Sequence, residues 1–143
     1  MKNILVLCTG NSCRSQMADG YLKLFAGTNA AIYSAGIETH GLNPRAVLVM
    51  KEGGIDISQN TSNNVLEYKH IHFDFIITVC DHANEHCPYI PGEAIRLHEN
   101  FPDPAKATGT EEEILAQFRN TQMLIKDYCR KFVEKNLLST KQN

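Results

Sequence analysis

The chain has 143 residues, 43% of them apolar and 21% charged, with a formal net charge of −2. This is the composition of one globular domain with its own core, and the weakly acidic balance provides no basic field for nucleic acid or an anionic membrane surface. The longest apolar runs, Ile4 to Cys8 and Phe75 to Ile77, are far too short to cross a bilayer or form the core of a secretory leader. The expected setting is the cytoplasm, with neither membrane nor nucleic acid as a partner.

Ile4-Leu5-Val6-Leu7 reads as a buried strand, and Met17, Ala18, Tyr21, Leu24 and Phe25 are apolar at helical spacing. Between them lies Cys8-Thr9-Gly10-Asn11-Ser12-Cys13-Arg14-Ser15, a strand-to-helix turn. The N–H groups of such a turn converge on its concave side, and the first N–H groups of the helix have no internal partner. An anion fits there, so Thr9, Gly10, Asn11, Ser12 and Cys13 form an expected oxyanion cradle. Arg14 adds a planar fork of donors suited to a tetrahedral oxyanion. The same positive field favours the thiolate of Cys8 and makes it a nucleophile, with Ser15 placed to donate to that sulfur. The alternative is a plain turn holding a buried cysteine, and the order Cys-x5-Arg-Ser after a strand argues against it.

Ala31-Ile32-Tyr33-Ser34 reads as a second strand ending at Gly36. Asn43 is an expected N-cap with Pro44 at the first helical position, and Gly53-Gly54 stops that helix. Residues 56–64 read as loop and 65–70 as a helical turn. Phe75-Ile76-Ile77-Thr78-Val79 is a strand running into Cys80, and Ala94 to Leu97 is a shorter one after a turn at Pro88–Pro91. Thr110-Glu111-Glu112-Glu113 is a capping-box start for the last helix, whose apolar face is Ile114, Phe118, Ile125, Cys129 and Phe132. Residues 137–143 are expected to fray. Alternating strands and helices argue an α/β fold with a parallel sheet, where ligands sit at the carboxyl ends of strands.

Five cysteines, at 8, 13, 80, 87 and 129, are an odd number without framework spacing, which points to redox, catalytic or metal chemistry rather than structural cross-links. In Cys80-Asp81-His82-Ala83-Asn84-Glu85-His86-Cys87 the two cysteines are two helical turns apart. Their Cα atoms in a helix are ~10.5 Å apart, whereas a disulfide needs ~7 Å or less. Joining them must therefore unwind the segment, which makes a redox switch with a conformational change. A metal site using His82 and His86, four positions apart, is the rival, and two surface histidines beside two buried cysteines is the plainest reading. A general acid for a poor leaving group is also required. Asp103, held between Pro102 and Pro104, is the best candidate, with an ordinary turn aspartate as the alternative.

The stretches CTGNSCRSQMADG (8–20), YSAGIETHGLNPRA (33–46), GIDIS (54–58), TVCDHANEHCP (78–88) and FPDPA (101–105) resemble the arsenate reductases built on the low-molecular-weight protein tyrosine phosphatase fold, in particular the thioredoxin-coupled group. The resemblance covers nearly the whole chain. The anion loop is shared with phosphatases, and three cysteines in register at 8, 80 and 87 select the reductases. The family resemblance implies a three-layer α/β sandwich with a central four-stranded parallel sheet flanked by helices, in a single catalytic domain over 1–143. It implies that Cys8 attacks arsenic(V) while Asp103 protonates the departing oxygen. Cys80 then attacks the Cys8–arsenic adduct, arsenite leaves, and Cys87 takes over Cys80 in a disulfide that thioredoxin reduces. Asn11 matches the family's loop brace and Ser15 its support for the thiolate.

Arsenate is the implied substrate, with phosphate and sulfate as competing oxyanions and no tightly bound cofactor, and the chain is expected to be a monomer. Glutathione with glutaredoxin is the alternative electron donor. Asn11, Ser34 and Thr61 match a potassium site of some members, and Asp19 and Asn63 match it imperfectly. Cys13 is a neighbour of Cys8 that the reaction does not need, and Cys129 belongs to the core. Two features depart from the family: the chain lacks the tryptophan often found ahead of Asp-Pro, and its redox segment carries two histidines. Ala105 stands where related phosphatases hold an aromatic, which favours a small inorganic ion. The alternatives are a tyrosine or small-molecule phosphatase using Cys8, Arg14 and Asp103, and a cysteine-based metal- or arsenite-binding protein.

Overall fold

The computed structural model describes residues 1–87, 90 and 92–138. Its sheet has four parallel strands, β1 (Lys2–Cys8), β2 (Ala30–Gly36), β3 (Phe75–Thr78) and β4 (Ile95–His98), in the order β2-β1-β3-β4. Ile4, Leu5, Val6 and Leu7 are wholly buried, because a central parallel strand is covered on both faces and so reads as a continuous apolar run. The helices α1 (Arg14–Ala26), α2 (Pro44–Glu52), α3 (Asp81–His86) and α4 (Glu111–Val133) flank the sheet. α1 packs on β1, β2 and α4, whereas α3 lies against β1 and β3. This is the expected α/β architecture.

Local signals placed the helix ends. The Asn43 side chain accepts from the N–H groups of Arg45 and Ala46, and Pro44 opens α2. Thr110 and Glu113 cap each other's N–H groups at the start of α4. Residues Val65–Tyr68 form a 3₁₀ turn with its own capping box, from Asn64 and Glu67. α4 carries on through one wider turn at Glu134–Leu138. Residues 137 and 138 are thus helical rather than frayed, because Leu137 and Leu138 pack on the core. Residues 139–143, and the expected turn at 88, 89 and 91, lie outside the described residues.

The strand order positions the site. Chain order reverses between β1 and β3, the place where an open parallel sheet leaves a crevice at its carboxyl end. In the register of that pair Leu7 lies opposite Thr78. Cys8, ending β1, and Cys80, two residues past β3, are therefore brought side by side.

Candidate active site

Residues 8–13 wrap into a loop whose carbonyls all face away from the cleft. Those of Cys8, Thr9, Gly10 and Ser12 accept from the N–H groups of Ile37, Glu38, His40 and Asn43, at 2.9–3.2 Å. The Asn11 carbonyl accepts from Gln16 Nε2 at 3.0 Å. Because N–H and C=O point opposite ways across each planar peptide, the loop's N–H groups are turned inward as an anion nest. Asn11 holds the bend with φ of 48°, a conformation that Asn tolerates better than most residues. Its side chain secures it, with Nδ2 donating to Ser15 Oγ at 2.8 Å and Oδ1 accepting from the Asn63 N–H at 2.8 Å.

Arg14 is buried under the loop. Its Nη1 donates to the Phe101 carbonyl at 2.9 Å and its Nη2 lies 3.6 Å from Asp103 Oδ2. Its Nε is buried with no hydrogen-bond partner among the described residues, a charged donor left unsatisfied by them. Asp103 caps the short turn Pro104–Lys106, accepting from the Ala105 N–H at 3.1 Å. The Pro-flanked loop thus holds the carboxylate over the cradle, as expected. Cys8, Cys13, Arg14, Cys80 and Asp103 share one cleft of about 650 Å³, with Ala105 at its edge.

Cys8 and Cys80 face each other in this cleft, and each shifts the other's titration. The Cys80 thiol is drawn down to about 5, first by the proton that Cys8 donates to it, then by the Thr9 hydroxyl, the Ala83 N–H and Arg14, against burial. Cys8 is pushed up, by that same bond to Cys80 and by burial, with Arg14 and the Thr9 N–H opposing. Two neighbouring sulfurs do not readily ionise together: Arg14 draws both thiols down, as expected for Cys8, and the direction of the pair favours the charge on Cys80. Ser15 Oγ accepts from Asn11 Nδ2 at 2.8 Å, which ties it to the loop brace and leaves its own hydroxyl hydrogen to donate.

Cys13 is buried and pushed up to about 12 by burial and by Asp103, so it is a poor nucleophile. Cys129 is a core residue as expected, its Sγ 3.8 Å from the Ala18 carbonyl. Cys87 follows the far end of α3, half-buried, with Arg96 Nη1 3.9 Å from its Sγ. It lines a separate small cavity with Asn84, Arg96 and His98. Thus α3 stands between Cys80 and Cys87, and the spacing argument for unwinding holds. His82 and His86 stack with ring centroids 4.2 Å apart. No three His, Cys, Asp or Glu side chains converge as a metal site among the described residues.

The potassium expectation fares differently. Oδ1 of Asn11 accepts from the Asn63 N–H, the Thr61 carbonyl accepts from Gln16, and the Thr61 hydroxyl donates to Asn63. Ser34 and Thr61 line a cavity that also holds Lys23, whose ammonium sits 3.0 Å from the buried carboxylate of Asp19. Each of these oxygens keeps a lone pair beyond the one bond given to it, and Lys23 already faces the Asp19 carboxylate at the same cavity.

Three residues that the sequence did not mark as parts of the anion loop's support hold it in place. Gln16 ties Asn11 to Thr61 and Asn63 ties the loop to the segment after α2. Gly36 lets β2 end against the loop: a Cβ there would lie 2.7 Å from Asn11 N and 2.8 Å from the Thr9 carbonyl oxygen.

A parallel four-stranded sheet with a Cys-x5-Arg nest after β1 and an Asp-Pro loop over it defines a family, and the chain belongs to it: low molecular weight phosphotyrosine protein phosphatase, matched over residues 3–143. Within that family the chain is 49% identical to an arsenate reductase of Halalkalibacterium halodurans, over 93% of this chain and 96% of that one. Among solved structures it resembles an arsenate reductase in the oxidized state, with a TM-score of 0.82 at 28% identity, and one in the phosphate binding state, with a TM-score of 0.78 at 29% identity. Each match covers 94% of this chain and 98% of the other. None of the described helices is long and apolar enough to cross a membrane.

Proposed function

We propose that the chain is an arsenate reductase that moves electrons from Cys8 through Cys80 to Cys87. The observation that carries the reading is the contact between Cys8 and Cys80 inside an anion nest, with Cys87 one short helix away. A phosphatase needs the nest, Arg14 and Asp103, but has no use for a second cysteine pressed on the first.

The nest, Arg14 and its unpartnered Nε hold three oxygens of arsenate. The Cys8 proton passes to Cys80 as the oxyanion takes up the Arg14 charge. Cys8 Sγ then attacks arsenic, an As–O bond breaks, and Asp103 gives the departing oxygen its proton. The Asp103 carboxylate, left unprotonated by that step, takes the proton from Cys80 in the same cleft, and Cys80 attacks Cys8 Sγ. An S–S bond forms, the S–As bond breaks, and its electron pair stays on arsenic, which leaves as arsenic(III). Cys87 next attacks Cys80, Cys8 departs as a thiolate, and the Cys80–Cys87 disulfide is reduced by an external dithiol, for which thioredoxin is the proposed donor. Bridging a Cα gap of roughly 10 Å across α3 requires α3 to unwind at this last step, which carries the disulfide outward.

The test is arsenate-dependent NADPH oxidation, run with thioredoxin and its reductase and separately with glutathione and glutaredoxin. Turnover in the first assay and its loss in Cys80→Ser, with oxyanion binding retained, is the expected result. Turnover that survives Cys80→Ser refutes the relay.

A further inference from the structure

His82 belongs to the redox segment but has no part in the relay just described. It lines the same cleft as Cys8 and Arg14, and its Nδ1 lies 3.2 Å from Thr9 Oγ1. The same hydroxyl oxygen lies 3.3 Å from Cys80 Sγ. Thr9 has one hydroxyl hydrogen and two neighbours able to accept it. When Nδ1 carries no proton, the imidazole competes with the Cys80 thiolate for that hydrogen. When Nδ1 is protonated it donates to Oγ1, and the hydroxyl is free to turn its hydrogen toward Cys80.

We propose that His82 is a positioning residue for Cys80, acting through the Thr9 hydroxyl: its protonation turns that hydroxyl onto the Cys80 thiolate, and loss of the Cys80 charge releases the proton from His82. The proposal rests on the relay reading for its purpose. When Cys80 becomes a neutral disulfide sulfur it no longer draws the Thr9 hydroxyl hydrogen, and the imidazole is left as the acceptor for it. The switch lies on α3, the helix that must then unwind. His82 is tied into that helix, because its carbonyl lies 2.9 Å from His86 Nδ1 and its ring stacks on that of His86.

Other charged groups face His82 from the surrounding elements. Arg14, His40, Asp103 and Lys106 share the cleft, and Asp81 and His86 share its helix. Arg14 is engaged with Phe101 and Asp103, His40 with Glu38, and Asp81 with His98. Each adds a background field that is common to the variants compared below, whereas the path through Oγ1 is removed by changing Thr9 alone.

The test is an NMR titration of the His82 ring in reduced protein, in wild type, Cys80→Ser, Thr9→Ala and Thr9→Ser. The proton affinity of His82 is expected to fall about three- to tenfold in Cys80→Ser, the order for charges about 6 Å apart in a high effective dielectric. Thr9→Ala should show a similar fall and Thr9→Ser should restore the wild-type value. An unchanged His82 titration in both Cys80→Ser and Thr9→Ala overturns the proposal, as does a fall in Cys80→Ser that Thr9→Ala does not share. A second readout is the pH profile of first-disulfide formation in a single turnover, which should lose one ionisation in His82→Ala. The titration needs no arsenate, so failure of the coupling leaves the relay standing, and failure of the relay would appear as turnover that survives Cys80→Ser with the coupling intact.

Discussion

Replacing Gly36 by alanine tests whether the end of β2 is a wall of the anion nest. A methyl group there would lie 2.3 Å from the Glu38 carbonyl oxygen, 2.7 Å from Asn11 N and 2.8 Å from the Thr9 carbonyl oxygen. All three are backbone atoms and none can rotate aside, so either β2 or the loop must move by roughly an ångström to reach ordinary contact. Overpacking of this kind costs about 1–3 kcal/mol. With an unfolding entropy of about 0.3 kcal/mol/K for a chain of this size, the expected fall in Tm is about 3–10 °C. The displaced atoms belong to the loop that positions substrate, and a misplacement of about 1 Å can reduce turnover on the order of a hundredfold. Gly54→Ala is the control: Gly54 has φ of 87° and open space beside its Cβ position, so the variant should lose stability by about 1 kcal/mol and keep its turnover. Thermal melts and arsenate-dependent NADPH oxidation on the two variants decide the matter. A Gly36→Ala protein with wild-type Tm and turnover refutes the reasoning.

Three further outcomes are expected. Asn11→Gly should be less harmful than Asn11→Ala, since glycine accepts φ of 48° while both lose the Ser15 and Asn63 bonds; chemical denaturation should separate the two by about 1 kcal/mol. The Cys8–Cys80 pair should give stability a maximum near pH 9. Cys80 is held at about 5 when folded, so its stabilisation is present above the unfolded thiol value and is lost as pH falls from about 9 toward 5. Cys8 is raised, so its contribution is present below about 9 and is lost as pH climbs further. The Tm advantage of wild type over Cys80→Ser, measured under a thiol-free reductant, should therefore widen from pH 5 to 9; a constant difference would contradict the lowered Cys80 titration. Cys13→Ala should leave most turnover in place, because that thiol is pushed up to about 12; loss comparable to that of Cys80→Ser, measured in the same NADPH assay, would put Cys13 in the relay.

Local sequence alone determined the pieces of this protein. The run Ile4–Leu7, the capped starts at Asn43 and Thr110, and the order Cys-x5-Arg are each written in a few adjacent residues, because capping, periodicity and turn chemistry act over one or two turns of chain. The seven-residue interval from Cys80 to Cys87 likewise indicated that a disulfide and a helix exclude each other there. Tertiary structure decided what those pieces meet. Pairing of β3 with β1, not with β2, sets Cys80 against Cys8, and from that contact follows where the resting charge lies. The same folding brings Gln16 to the Thr61 carbonyl, and places one threonine hydroxyl between a sulfur and an imidazole. Such contacts join residues separated by up to 73 positions, and no periodicity records them, since strand order is selected by the burial of the whole sheet and not by any one segment.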